Sequence, residues 1–231
     1  MLNKILITGT SSGIGNEFAE LLKKEEIISS EGVDLANLKE TKEFCAKMIE
    51  QDLIPDIIIN NAGVNTHGYY HQLSWEEEER EITLNILTPL YIIKTFLPYM
   101  IKNNYGRILN VGSVSGTMPS SFFSVYCSTK AFINTFSQAL NGELKDTNVI
   151  CSCLLPGRTN TNFYKSMGID TTKYADPKKV AEYGIKLMEQ GKDYGVYGFK
   201  NKVKQQIKRF IPRKILNTLL RNHCKKYVQT N

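Results

Sequence analysis

Short apolar runs of strand length alternate with amphipathic helical patterns from the N-terminus to about residue 198. The apolar runs predict strands at residues 3–8, 26–30, 56–60, 106–112, 148–155 and 194–198. Helical patterns lie between them, at residues 13–24, 38–51, 75–103, 124–145 and 177–190. Strands that alternate with helices are typical of a parallel sheet whose strands are joined by crossover helices. We therefore predict an α/β fold, with a doubly wound parallel sheet flanked by helices in a single domain.

The positive charge of the chain is concentrated near its C-terminal end. The net charge is +6, and ten Lys and Arg residues but no Asp or Glu lie between Lys200 and Asn231. The rest of the chain has 19 basic and 23 acidic residues. We predict a domain of residues 1–199, long enough for one core, followed by a basic amphipathic helical extension of residues 200–231.

The extension carries an apolar stripe among its basic residues, formed by Ile215, Leu216, Leu219 and Leu220. Two interpretations of this stripe stay open. A basic amphipathic stretch can lie on an anionic membrane, which would make the protein peripheral to that membrane. The stripe can instead cap a substrate pocket or pack in a dimer, and we expect a homodimer or homotetramer.

Several features argue against other classes of protein. Five scattered cysteines lack the spacing of a metal site or a disulfide framework and suit free thiols in a reducing cytoplasm. His67 and His71 lie in a glycine-bearing loop, so we expect no metal site. We find no signal-peptide pattern and no window near the roughly 18 apolar residues of a membrane-spanning helix. We therefore expect a cytoplasmic protein. We also expect it to bind no nucleic acid; its basicity is confined to the extension.

A glycine-rich turn follows the first predicted strand and opens the first predicted helix. It reads Thr8-Gly9-Thr10-Ser11-Ser12-Gly13-Ile14-Gly15. Glycines let the backbone turn tightly and approach a pyrophosphate, while the helix N-terminus offers unpaired N–H groups to its charge. At the same sheet edge the third predicted strand ends at Asn60 and continues into Asn61-Ala62-Gly63. Small residues there let an adenosine lie on the backbone, and the amide of Asn60 or Asn61 can tie neighbouring strands together. The two segments predict a dinucleotide-binding site.

Candidate catalytic residues follow the fourth predicted strand. Ser113 lies at the exit of this strand, and Tyr126 and Lys130 share one face of the helix that comes next. A phenol with an ordinary pKa of about 10 is a poor acid or base at neutral pH, so a nearby cation is needed to favour tyrosinate. Lys130 supplies that charge and can hold a nicotinamide ribose. Ser113 can hydrogen-bond the substrate oxygen.

Across about residues 3–165 the sequence resembles the short-chain dehydrogenases/reductases. The glycine turn, Asn-Asn-Ala-Gly, the serine and Tyr-x-x-x-Lys all appear in the family order and spacing. The resemblance implies a Rossmann-like fold that binds NAD or NADP. It further implies that Asn85 belongs to a helix whose locally bent backbone holds a water in the proton relay to Lys130. It also implies cofactor contacts at two further places. Pro156-Gly157 with Thr159 or Thr161 closes over the nicotinamide carboxamide, and Asp34 with Leu35 lies beside the adenine.

One segment departs from the family pattern. Between the first helix and Asp34 the family usually has a strand, a helix and another strand, whereas here only residues 26–32 are available. This region normally selects between NAD and NADP. If Glu31 faces the adenosine ribose, it accepts hydrogen bonds from both hydroxyls and favours NAD; if Ser29 and Ser30 face it, a 2′-phosphate is admissible. The resemblance favours NADP.

The leading hypothesis is an NAD(P)-dependent oxidoreductase that interconverts a secondary alcohol and a ketone. In this hypothesis Tyr126 is the acid/base, Ser113 polarises the oxygen, Lys130 lowers the tyrosine pKa and Asn85 completes the relay. The extension resembles that of family members that reduce 3-oxoacyl or other lipid-like ketones. One alternative is a sugar or surface-polysaccharide ketone reductase. Another is a cofactor-binding regulator without turnover, against which the intact Ser-Tyr-Lys set argues.

Overall fold

A sheet of six parallel strands forms the centre of the computed structural model, which describes residues 3–165 and 169–228. The strand order is β2-β1-β3-β4-β5-β6, and each neighbouring pair is parallel. The strands are β1 (Lys4–Ile7), β2 (Glu26–Ser29), β3 (Ile57–Asn60), β4 (Gly106–Val111), β5 (Val149–Leu155) and β6 (Tyr194–Val196). Each lies where an apolar run predicts it, so the predicted Rossmann-like α/β fold is confirmed.

Helices cover both faces of this sheet. The helices of the described residues are α1 (Gly13–Leu21), α2 (Leu38–Glu50), α3 (Trp75–Ile82), α4 (Thr88–Lys102), α5 (Ser124–Glu143), α6 (Asn162–Lys165), α7 (Pro177–Glu189), α8 (Phe199–Ile207) and α9 (Arg213–Cys224). Those that cover the sheet are α1 and α7 on one face and α2, α4 and α5 on the other. Side-chain caps start α2, α3 and α7; at α2 the Asn37 side chain accepts from the Lys39 N–H. Ser74 accepts a hydrogen bond from the Glu77 N–H at the start of α3, and Asp176 accepts one from the Lys178 N–H at the start of α7.

The strands bury side chains on both faces because helices cover the sheet on both sides. Leu6, Ile58 and Ile108 point to one face, where they pack with side chains of α2, α4 and α5. Their neighbours in sequence point to the other face; Ile5 and Ile59 pack there with α1 and α7. Two apolar cores therefore hold one rigid sheet, and its carboxyl edge carries the loops described below.

The connection after β2 is short. Residues 30–37 lead directly from β2 to α2, so β2 forms the edge of the sheet. Leu35 anchors this connection, because its buried carbonyl accepts a hydrogen bond of 2.6 Å from the Thr88 hydroxyl on α4. The shortened region noted in the sequence is thus an eight-residue link, held against the neighbouring helix.

The helical run Trp75–Lys102 is more apolar over its length than the sequence analysis expected of any segment. Its length and its mean hydropathy of 1.3 would allow it to cross a membrane. It contains α3, α4 and a π-helical turn between them. Ile92 and Phe96 pack in the core against the sheet, and the run buries Glu81 and Asn85 completely or nearly so. These contacts are those of a core helix in an α/β protein.

All five cysteines are buried, and each is a thiol outside any disulfide in the described residues. Burial raises the pKa of Cys45 to about 12 and that of Cys127 to about 11, which keeps both protonated at neutral pH. These thiols therefore behave as small apolar side chains of the core.

Candidate active site

The glycine turn lies where the strand order reverses, between β1 and its neighbours β2 and β3. Gly9 has a φ of +71°, which a side chain would strain. A Cβ at Gly15, in the first turn of α1, would overlap the Gly9 carbonyl and the Asn61 side-chain amide. The turn is therefore folded tightly against the end of β3, and the N-terminus of α1 faces the space above the sheet.

Asn60, the last residue of β3, and Asn61, the next residue, both tie strands together, whereas the sequence had left open which of the two does so. The Asn61 amide donates to the carbonyls of Thr8 and Gly9, each at 3.1 Å. The Asn60 amide donates to Asn110 on β4 at 2.8 Å. Thr8 completes the junction, because its hydroxyl accepts from the backbone N–H groups of Asn61 and Ala62 at 3.0 Å. Thr8 thus stabilises the loop after β3 without lining the cavity itself.

Ser113, Tyr126 and Lys130 meet at the carboxyl edge of β4. Ser113 follows the strand directly, and the other two lie in the first turns of α5. The link between them packs tightly on α5, because a Cβ at Gly116 would overlap the Lys130 backbone. All three side chains are buried, with exposed fractions of 6 to 8%. The structure therefore brings the three predicted residues together.

Ser113 is held from both sides. Asn134 on α5 accepts from its N–H at 3.3 Å and donates to its carbonyl at 2.9 Å. The Ser113 hydroxyl oxygen accepts from the Ser115 N–H at 3.0 Å. A hydroxyl whose oxygen already accepts a hydrogen bond is free to donate its own proton. Ser113 is therefore oriented as a donor towards Tyr126 and the cavity.

Asn85 lies in the π-helical turn Thr83–Leu87, at the place where a locally bent helix was expected. Its amide donates to the Val64 carbonyl at 2.9 Å and to the Thr129 hydroxyl at 3.1 Å, and its oxygen accepts from the Val64 N–H. A Cβ at Gly63 would lie 3.1 Å from the Asn85 oxygen and 3.4 Å from Lys130 Nζ. Asn85 thus holds the loop after β3 close to the ammonium group.

Burial governs the charges of the site. It raises the pKa of Tyr126 well above the ordinary value, and a hydrogen bond from Ser113 acts in the opposite direction. The net direction is opposite to the lowering expected from Lys130, because desolvation of the phenol is the largest effect. Burial also lowers the pKa of Lys130 to about 8, against the opposing effect of the Glu81 charge. Lys130 donates to the Val111 carbonyl at 2.9 Å.

A cavity of about 330 Å³ opens above these groups. Most of the predicted site residues line it: Gly9, Ser11, Ser12, Gly13, Ile14, Asn61, Ala62, Gly63, Ser113, Tyr126, Lys130, Pro156, Gly157, Thr159 and Thr161. Its wall also includes Phe163 and Tyr164 from α6. Six predicted residues do not line the cavity: Thr8, Thr10, Gly15, Asp34, Leu35 and Asn85.

The residues near the end of β2 differ in what they face. Ser29 is hydrogen-bonded to the Thr10 hydroxyl in the glycine turn at 2.9 Å. Glu31 is exposed, and only its backbone N–H reaches the Ser29 hydroxyl, at 3.1 Å. Asp34 forms an ion pair with Arg80 on α3, and this hydrogen bond lowers the pKa of its carboxyl. Ser29 is therefore the β2 residue whose side chain turns towards the glycine turn.

Sequence reasoning missed Glu81, one helical turn before Asn85. Its carboxylate is fully buried and accepts from the Thr66 hydroxyl at 2.6 Å and the Thr66 N–H at 2.8 Å. Burial raises the pKa of this carboxyl, and the positive charge of Lys130 lowers it. The spacing of four residues to Asn85 was the available signal, because such residues share a helical face.

We expect Glu81→Gln to move the alkaline limb of the pH profile of activity to lower pH. Glu81 raises the pKa of Lys130, which is about 8, so removing its charge makes Lys130 lose its proton earlier. A shift of about half to one pH unit is expected for one partly shielded charge. Glu79→Gln, on the exposed side of α3, is the control and should leave the limb in place. Identical limbs in both variants would contradict a role for Glu81 in the charge of Lys130.

Comparisons with known proteins agree with this geometry. The family model for short chain dehydrogenases matches residues 25–171. An uncharacterized oxidoreductase of Staphylococcus saprophyticus is 28% identical over 211 residues, which cover 80% of this chain and 90% of that protein. Estradiol 17-beta-dehydrogenase 11 of Mus musculus is 31% identical over 207 residues, 78% of this chain and 70% of that protein. A solved short-chain dehydrogenase from Sphingobium yanoikuyae, in complex with NADPH, has a TM-score of 0.75 at 24% identity, covering 92% of this chain and 97% of that one.

Proposed function

Because the chain belongs to the short-chain dehydrogenase family and is an NAD(P)-dependent dehydrogenase, we propose that it reduces lipid-like ketones to secondary alcohols. The observation that carries this proposal is the single cavity that joins the glycine turn to Ser113, Tyr126 and Lys130. The regulator hypothesis is not retained, since the chain is a dehydrogenase.

The residues of the cavity fit a nicotinamide dinucleotide. The tight turn from Gly9 to Gly15 leaves room for a pyrophosphate, and the N-terminus of α1 offers N–H groups to it. At the other end, Pro156, Gly157 and the two threonines after them face the catalytic side chains across the cavity. The bound cofactor supplies or accepts the hydride.

In the proposed mechanism, the residues of this chain place and move one proton. Ser113 donates a hydrogen bond to the substrate oxygen, for which its orientation by Asn134 and Ser115 prepares it. Tyr126 gives its phenolic proton to that oxygen as the carbonyl is reduced. Lys130 then stabilises the phenolate by its charge, and Asn85 keeps the loop beside Lys130 in place.

The charge state supports reduction as the direction in which the site works at neutral pH. A raised pKa keeps the Tyr126 phenol protonated, which is the form that donates to a carbonyl oxygen. Oxidation of an alcohol needs tyrosinate instead, so its rate should rise with pH.

Aromatic side chains around the cavity support an apolar substrate over a sugar. Phe163 lies 5.5 Å from the Tyr126 ring and 5.2 Å from the Tyr164 ring. Burial raises the pKa of Tyr164 to about 12, so it stays neutral. A wall of this kind buries hydrocarbon well and offers few partners to several hydroxyl groups.

The experiment that tests the proposal follows NADPH and NADH oxidation with a panel of ketones. The panel contains medium-chain and ring ketones, 3-oxoacyl esters and keto-sugars. We expect turnover with apolar ketones and 3-oxoacyl esters and little with sugars. Faster turnover of keto-sugars would overturn the substrate class.

We further propose NADP(H) as the preferred cofactor, because a neutral hydroxyl and no carboxylate stands at the end of β2, next to Thr10. Ser29→Asp should place a carboxylate where it repels a 2′-phosphate and accepts from free ribose hydroxyls. We expect the ratio of kcat/KM for NADPH over NADH to fall at least about tenfold. Glu31→Ser is the matched control and should leave the ratio unchanged, since Glu31 is exposed. A change in the control but not in Ser29→Asp would reverse the assignment.

For the protein as a whole, we propose a Rossmann-like domain of residues 1–199 and a helical extension of residues 200–231. We place it in the cytoplasm as a homodimer or homotetramer, with peripheral membrane contact through the extension. The basic charge and the exposed apolar side chains of the extension support that contact.

A further inference from the structure

Helix α8 docks on the body of the protein through its polar side. The Asn201 amide donates to the Tyr197 carbonyl at 2.8 Å. Gln205, 8% exposed, donates to the Thr117 hydroxyl at 2.8 Å, and the Lys208 ammonium just beyond α8 donates to the Thr117 carbonyl at 2.7 Å. These three residues are spaced by four and three positions, so they form one helical face.

The opposite face of α8 is apolar and turned to solvent. Phe199, Val203 and Ile207 recur every four residues, and Phe210 continues the stripe. Their exposed fractions are 80, 37, 54 and 86%. An amphipathic helix of a globular protein normally buries its apolar stripe against the core, whereas α8 does the reverse. An exposed stripe of this kind marks an interaction surface.

Helix α9 also carries exposed apolar side chains. Ile215 and Leu219 are 53 and 56% exposed. Among the described residues, fourteen large apolar side chains are exposed, and six of them fall between Phe199 and Leu219. Isolated exposed apolar residues are ordinary, but a cluster in so short a segment is not. We call the exposed apolar and basic residues of Phe199–Leu219 the outer face of the extension.

The charge of the outer face indicates its partner. Lys200, Lys202 and Lys204 are exposed beside the apolar stripe, and the segment from Lys200 to Asn231 has no acidic residue. An anionic phospholipid surface accepts both components, since its acyl region takes apolar side chains and its headgroups attract lysines. A second copy fits poorly, because a two-fold interface sets identical patches against each other and here both would be basic.

The extension is also joined to the loops that bound the cavity. Thr117, which holds α8, ends the short turn that follows Ser113. Beyond α9, the Tyr227 ring lies 6.2 Å from the Phe123 ring, and the Arg158 guanidinium lies 5.5 Å from the Tyr227 ring centre. The extension therefore packs on loops that neighbour the cavity, while its outer face stays exposed.

We propose that the outer face docks on an anionic phospholipid bilayer and that the cavity takes its lipid-like substrate from that bilayer. Docking is inferred from the residues of the outer face alone, whereas delivery of substrate also rests on the proposed function.

Docking is tested by sedimenting the full chain with phosphatidylcholine vesicles, with and without phosphatidylglycerol. We expect binding to the anionic vesicles at low salt and release at high salt. The double variant Phe199→Ser/Phe210→Ser should weaken partitioning about 100-fold, roughly tenfold for each ring withdrawn from lipid. Lys200→Gln/Lys204→Gln should weaken it about fivefold per lysine. The control is Ile101→Ser. Ile101 is 44% exposed and lies near the end of α4, at the opposite edge of the sheet, so this variant should bind vesicles as the intact chain does.

Two outcomes would overturn the docking half. One is an intact chain that ignores anionic vesicles. The other is a double variant that binds vesicles normally but elutes as a smaller species in size-exclusion chromatography, which would make the outer face an interface between copies of this chain.

Delivery of substrate is tested with two ketones, one short and water-soluble, the other long-chained and dissolved in the vesicles. We expect the Phe199→Ser/Phe210→Ser variant to reduce the soluble ketone normally and the vesicle-held ketone at a rate that falls with its binding. Equal rates for the vesicle-held ketone in variant and intact chain would overturn delivery. An intact chain that reduces neither ketone would refute the proposed function, while the vesicle result would still decide docking.

Discussion

Tyr126→Phe is expected to lower the turnover of ketone reduction by about 100-fold or more, the usual effect of losing a general acid. The substitution removes only the hydroxyl that is hydrogen-bonded to Ser113, and the ring keeps its place 5.5 Å from Phe163. Cofactor affinity should therefore stay unchanged. Steady-state kinetics and a fluorescence titration with NADPH measure the two quantities separately.

The matched control for this variant is Tyr164→Phe. Tyr164 also lines the cavity, and burial also raises its pKa, yet the Ser113 hydrogen bond is made to Tyr126. We expect this control to change turnover only a few-fold, through packing and substrate contact. Near-full turnover by Tyr126→Phe, or an equal loss in both variants, would remove Tyr126 from its role.

Gly15→Ala is expected to abolish useful cofactor binding, with a rise in Kd of about 100-fold or more. A new methyl group would overlap the Gly9 carbonyl and the Asn61 amide, so either the glycine turn or the end of β3 must move. A displaced turn loses backbone contacts with the pyrophosphate, and a loss of about 2.7 kcal/mol corresponds to that rise in Kd. Overpacking should also lower the free energy of unfolding by about 1–3 kcal/mol. Isothermal titration with NADPH and thermal melts test both effects.

Gly142→Ala provides the control for the glycine substitution. Gly142 lies in α5 with no atom within 4 Å of an added Cβ. Alanine is the better helix former, so this variant should be about 0.5–1 kcal/mol more stable and bind the cofactor normally. If Gly15→Ala behaved in the same way, the turn would not be packed as described.

The sequence predicted the parts of the molecule that depend on local pattern. Strand positions follow from apolar runs, and all six were found within two residues of their predicted ends. The meeting of Ser113 with Tyr126 and Lys130 follows from the topology, since the serine ends a strand and the helix that follows begins at the same sheet edge.

Features that depend on tertiary contacts escaped prediction. The spacing to Asn85 places Glu81 on the same helical face, but no local pattern shows that Glu81 is fully buried, or that burial outweighs charge at Tyr126. The partner of Asp34 is Arg80, from a helix 46 residues further along the chain. That the Ser29 side chain is hydrogen-bonded to the glycine turn depends on its direction at the end of β2. Each of these needs the folded arrangement of distant segments.

The short connection after β2 leaves a strand with unpaired backbone groups at the rim of the sheet. An exposed rim of this kind can template intermolecular pairing and aggregation. Two properties of β2 oppose this: it has only four residues, and it starts with the exposed charge of Glu26. Glu26→Val should therefore make the protein more prone to associate through this rim on storage, although Glu26 does not line the cavity.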